Sequence, residues 1–267
     1  MEKEMTMKDI HDALVRAGRL ETRPIGVYGA QTPPPGAVSV ASVIPSGHRC
    51  LAKALLKMAL DPRVPPIVIG KDYLKGVCQA APSFLGFRDF PPSFKTFLST
   101  GGRGEGGEEE EGVYLKATPE ICEATLGKIG KIAPPASNLV MQACGDIKEA
   151  PAAVRSVLCF GNAEQIRNLA GLIHFGKSDP FGFVMSPWGS HCSLFVTYPS
   201  GMAGNAPPDT AFIGPTAPDG NSWFPPGLLS LSMPLSMAAE MAGNIERSFV
   251  GKLPGMAYPE ERENIFS

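Results

Sequence analysis

Two rhythms of apolar residues alternate along this 267-residue chain. A spacing of three to four turns one face of a helix toward a core. A spacing of two, or a short unbroken apolar run, makes a strand. Ile10, Leu14 and Ala17, with charges between them, predict an amphipathic helix over 7–20. "RPIGVYGA" and "AVSVAS" read as strands around the stiff turn "QTPPPG". Leu51, Leu55, Met58 and Ala59 predict a helix over 48–60, which Pro62 stops. "PPIVIG" is a short apolar strand, and "KGVCQAAPSFLGF" opens a short helix after Gly76 with Pro82 near its end. "GVYLKATPEICEATLGKIG" gives a strand and then a helix from Pro119, capped by Thr118.

The second half is more regular. "SNLVMQAC" and "VRSVLCFG" are strands, and the latter runs into a helix capped by Asn162 whose apolar face is Ile166, Leu169, Ala170 and Ile173. "FGFVM" follows as a strand and completes a β-α-β unit. "DTAFIGP" and "LLSLSMPL" are two more strands, and 236–249 forms a closing helix before an irregular tail. Strands and helices interleave throughout, so the predicted fold is α/β, with mixed α+β as the alternative. It has a mixed sheet flanked by helices and two closely packed lobes. The chain reads as a single domain over 1–267, because no clean linker divides it. The acidic, glycine-rich segment 101–112 reads as a mobile loop.

Composition narrows the class. A net charge of −2 with scattered basic residues offers no surface for nucleic acid. No apolar run reaches the ~18–20 residues of a membrane span, and the acidic N-terminus lacks a signal-peptide core. These features predict a cytoplasmic protein, in which the six cysteines stay reduced. The motifs GxGxxG after a strand, HExxH and CxxC are all missing. Any site is therefore assembled from distant segments.

The cysteines sort by setting. Cys122, Cys144 and Cys159 lie in apolar elements and read as core. Cys50, Cys78 and Cys192 each sit at a predicted helix start, where unpaired N–H groups favour thiolate. His48 and His191 stand beside two of them.

The order of these features resembles the domain-of-unknown-function family numbered 169, uncharacterised proteins mainly of archaea and anaerobic bacteria. The resemblance spans about 23–244. It rests on the C-x-A of Cys50 to Ala52, the run from Cys78 to Gly86, the helix start in "LCFGNAEQIRNL", and the third cysteine in "WGSHCS". The chain reads "CQAA" where a glycine-rich "CPGG" is expected, and "GPTAPDGNSWFP" where a Cys or Arg is frequent. The resemblance implies that Cys50, Cys78 and Cys192 occupy positions the family fills with cysteine, and it carries no activity.

Three readings of the trio stay open. Three thiolates from three helix starts suit an iron–sulfur cluster in anaerobic redox metabolism, or zinc with His48 or His191 as fourth ligand. His48 is the better geometric choice, because the adjacent His191 and Cys192 side chains point apart. Alternatively, Cys192 is a nucleophile with His191 as base and the Gly189–Ser190 turn as oxyanion donors. A third reading is a non-catalytic small-molecule pocket walled by Trp188, Trp223 and Phe224. Beside all three stands the structural role, in which Trp188 plugs the core and His191 caps a helix.

Overall fold

The computed structural model describes residues 5–103, 108–148, 153–218 and 222–263. Its centre is a seven-stranded mixed sheet. The strands in chain order are β1 (Ile25–Ala30), β2 (Ile67–Gly70), β5 (Asn138–Ala143), β6 (Val154–Asn162), β7 (Val184–Met185), β8 (Ala211–Gly214) and β9 (Leu228–Pro234). They lie side by side as β2-β5-β1-β6-β9-β8-β7. Every pairing is antiparallel except β7 with β8. The remaining two, β3 (Gly101–Arg103) and β4 (Glu109–Glu111), form a separate antiparallel ribbon.

Helices cover both sheet faces. The chain contains α1 (Met7–Gly18), α2 (Val40–Val43), α3 (Leu51–Leu60), α4 (Ala80–Phe84), α5 (Phe94–Phe97), α6 (Pro119–Ile129), α7 (Ala163–His174), α8 (Leu235–Asn244), α9 (Phe249–Lys252) and α10 (Pro254–Ala257). Alternation along β6 shows the layering. Leu158 and Phe160 pack with α3 and α4, whereas Val157 and Cys159 pack with α1, α7 and α8. A strand buried on both faces reads as an unbroken apolar run. Each face of the one sheet thus carries its own apolar layer.

Capping makes the helix starts legible. The Asn162 side chain accepts from the Gln165 N–H at 3.0 Å while the Gln165 side chain accepts from the Asn162 N–H at 2.8 Å. Asn162→Ala opens this capping box and should lower stability by about 1 kcal/mol. Urea denaturation would register it as a lower midpoint with an unchanged slope, and an unchanged midpoint would contradict it.

Several segments differ from expectation. "AVSVAS" makes only one bridge, Val38 with Ile67, and then turns into α2, whose Val40 and Val43 are buried three residues apart. The predicted strand after Gly112 is a loop. Val113, Tyr114 and Leu115 donate to the carbonyls of Phe97, Ser99 and Leu98, so their backbone groups are spent on the end of α5. Part of the acidic segment is the β3–β4 ribbon instead of a loop, and residues 104–107 lie outside the described residues. Pro82 sits inside α4, early enough that its missing N–H costs no helical bond. The tail is helical where irregularity was expected. Pro254 starts α10, and the Tyr258 hydroxyl donates to the Ala17 carbonyl at 2.8 Å. The β-α-β unit exists, but β9 and β8 lie between its two strands.

Candidate functional site: a cysteine-lined cavity

Three loops bring distant cysteines to one place. Cys50 is the N-cap of α3. Cys78 lies two residues before α4, and its N–H donates to the Arg49 carbonyl at 3.1 Å. Cys192 opens a π-helical turn (Ser193–Thr197) carried on the same side of the sheet. The Ser193 N–H donates to the Ser190 hydroxyl at 3.2 Å, which caps that turn. Two further bonds dock it: Thr197 donates through its hydroxyl to the Phe84 carbonyl, and Ser232 to the Leu194 carbonyl. The sequence fragments that hold Cys78 and Cys192 are thus tied through α4.

A cavity of about 750 Å³ opens between them. Its reactive wall is His48, Cys50, Cys78, His191 and Cys192, beside Trp188, Gly189 and Ser190. The facing wall is apolar, built from Phe84, Phe94, Phe97, Leu98, Val113 and Leu115. Phe84 meets Phe90 and Phe94 edge-on, with ring centroids 5.0 and 5.7 Å away, which stiffens this wall. The volume falls within the range of pockets for small organic ligands, roughly 300–1,000 Å³. Lys116 places its Nζ 4.4 Å from the Trp188 ring centroid, so that indole already carries a cation on one face.

The residues singled out from sequence divide cleanly. His48, Cys50, Cys78, Trp188, Gly189, Ser190, His191 and Cys192 all line the cavity. Trp223 and Phe224 do not line it. They pack against His191, with ring centroids 5.5 and 6.2 Å away, and close the layer behind it with Phe195. His191 is therefore gripped by aromatic rings and 3% exposed, whereas His48 is exposed. Cys122, Cys144 and Cys159 are buried apart from the cavity lining, as their apolar settings imply. Burial pushes the Cys159 thiol up to about 12, which keeps it inert.

The chemistry of the trio is unequal. Cys50 and Cys78 are neighbours on the cavity wall, and their mutual interaction raises the pKa of Cys50 and lowers that of Cys78. Desolvation and the neighbouring Cys192 further hold Cys50 protonated. On Cys78, desolvation opposes ionisation, but the Ala81 N–H and His48 add support for the thiolate. The directions of the two shifts favour the charge on Cys78 over Cys50. Sequence reasoning placed Cys78 at a helix start but gave no sign that a second thiol would activate it. The aromatic wall of α5 has no signal along the chain, since "FPPSFKTF" has no clear period.

The metal expectation finds no support here. Among the described residues, no group of three or more His, Cys, Asp and Glu is placed to hold a metal ion. Cys50 and Cys78 direct their polarity at each other, and the His191 ring is packed among aromatic side chains. The absence of a helix long and apolar enough to cross a membrane holds likewise among the described residues.

Fold and cavity together define a class: a mixed α/β protein with a thiol-lined, largely apolar pocket on one sheet face. The chain belongs to the DUF169 family, described as Uncharacterised ArCR, whose sequence profile matches residues 13–244. That span includes all three cavity cysteines. No curated protein and no solved structure matches the chain.

Proposed function

We propose that this protein is an enzyme whose Cys78 thiolate attacks a small, largely apolar electrophile bound in the cavity. The observation that carries the reading is that Cys50 and Cys78 line one largely apolar cavity, with the Cys78 N–H bonded to the carbonyl just before Cys50. A thiolate, and not a thiol, is the attacking species, and Cys78 is the sulfur that its neighbours favour in that form. Cys78 is also half-buried, whereas Cys192 is only 4% exposed. His48, at Cys78, would pass protons between the site and water. The peptide N–H groups of Gly189 and Ser190 are candidates to steady charge developing on the substrate. A cytoplasmic setting suits this chemistry, because thiols stay reduced there.

Brief treatment of the native protein with iodoacetamide at neutral pH, followed by peptide mapping, tests the reading. Cys78 should be labelled at least ~10-fold faster than any other cysteine, as an activated thiolate is. Cys78→Ser should remove the fast phase. First labelling at Cys192 would instead favour the Cys192–His191 pair as nucleophile and base. Slow, even labelling of the cysteines would leave only a passive ligand pocket.

A further inference from the structure

Cys50 and Cys78 are brought together by a backbone hydrogen bond. The Cys78 N–H donates to the carbonyl of Arg49, the residue directly before Cys50. That bond sets the backbone at Cys78 against the peptide unit that Cys50 shares with Arg49. A disulfide needs α-carbons roughly 4.4–6.8 Å apart, and contact between the two backbones is the arrangement that permits one. Both cysteines line the same cavity, and each shifts the acidity of the other. A nucleophile that only alkylates or acylates needs no second thiol in contact. An exchange that must release its covalent intermediate does.

We infer that Cys50 is the resolving thiol for Cys78, and that the substrate class is a small, largely apolar organic disulfide reduced to two thiols. The inference rests on Cys78 being the nucleophile. In the first step the Cys78 thiolate attacks one substrate sulfur, a Cys78–substrate S–S bond forms, the substrate S–S bond breaks, and one thiolate departs. In the second step Cys50 attacks the Cys78 sulfur, the Cys50–Cys78 bond forms, and the second thiolate departs. The two departing thiolates take one proton from Cys50 and one from solvent. The protein pair loses two electrons and the substrate gains them. A low-mass dithiol, itself oxidised to its disulfide, returns the pair to the reduced state. The apolar wall of Phe84, Phe94 and Leu115 sets the preference for uncharged substituents on the substrate.

Reduced full-length protein mixed with dithiodipyridine, an uncharged chromogenic disulfide, provides the test. The fast phase should release two thiopyridone molecules per chain, and mapping should recover a Cys50–Cys78 cross-linked peptide. In Cys50→Ser the fast release should fall by half and leave a stable mixed disulfide on Cys78. A stable mixed disulfide on Cys78 of the unsubstituted protein would overturn the resolving role while leaving Cys78 as the nucleophile. A Cys78–Cys192 cross-link would overturn it in favour of the other thiol. Failure of the reagent to modify Cys78 at all would remove both this inference and the nucleophile reading beneath it. Because the mapping is done on the unsubstituted chain, the result does not depend on how the variant folds.

Discussion

Alkylation of Cys78 should rise about tenfold per pH unit up to a midpoint near pH 6 and stay flat above it. The sign follows from the partners. A donated S–H from Cys50, the Ala81 N–H and the charge of a nearby His48 all favour the anion, so the folded value lies below that of a free thiol. Removing the first and largest of these by Cys50→Ala should move the midpoint up toward the free-thiol value of about 8.5. At pH 6 the variant should then react on the order of tenfold more slowly, because little of its Cys78 is ionised. At high pH the order should invert, since a more basic thiolate is the better nucleophile. Cys50→Ser keeps a donor and should stay closer to the parent profile. Crossing rate profiles, followed by mass spectrometry of the Cys78 peptide, distinguish this from general loosening, which would speed labelling at every pH. Parallel profiles for parent and Cys50→Ala would show that Cys50 does not set the reactivity of Cys78.

Phe84→Ala should be the most destabilising single change around the cavity. Phe84 is 2% exposed, meets two other phenylalanine rings, and belongs to the helix that links the Cys78 loop to the Cys192 turn. Loss of a buried phenyl group in such a place costs about 3–5 kcal/mol, through lost transfer energy and the void left behind. The Thr197 bond to the Phe84 carbonyl is to backbone, so it survives the truncation if the helix holds. Urea denaturation should show a much lower midpoint with a similar slope. A loss below about 1 kcal/mol would mean that the aromatic wall is adaptable, a property of binding surfaces more than of cores. Phe84→Leu, which retains most of the volume, should recover much of the stability.

The origins of the site differ in how far they can be read along the chain. The helix beginning at Cys50 was legible because Leu51, Leu55, Met58 and Ala59 share a face and Pro62 ends it. The cap at Asn162, the strand 154–162 and the core role of Cys159 were legible for the same reason: each depends on neighbours within a few residues. "AVSVAS" is ambiguous because Val38 and Val40 alternate as in a strand, while Val40 and the following Val43 have a three-residue helical spacing. Trp223 and Phe224 share the aromatic character of Trp188 in sequence, and only packing reveals that they lie behind His191.

Local periodicity and capping chemistry, then, already specified a mixed α/β protein with three cysteines at helix starts, since hydrogen bonds along one segment decide those features. How the three sulfurs differ in acidity depends only on the tertiary structure. A thiol's acidity depends on burial and on donors within a few ångströms. The backbone bond from Cys78 to Arg49 joins loops 29 residues apart in number, and no pattern along the chain encodes that meeting.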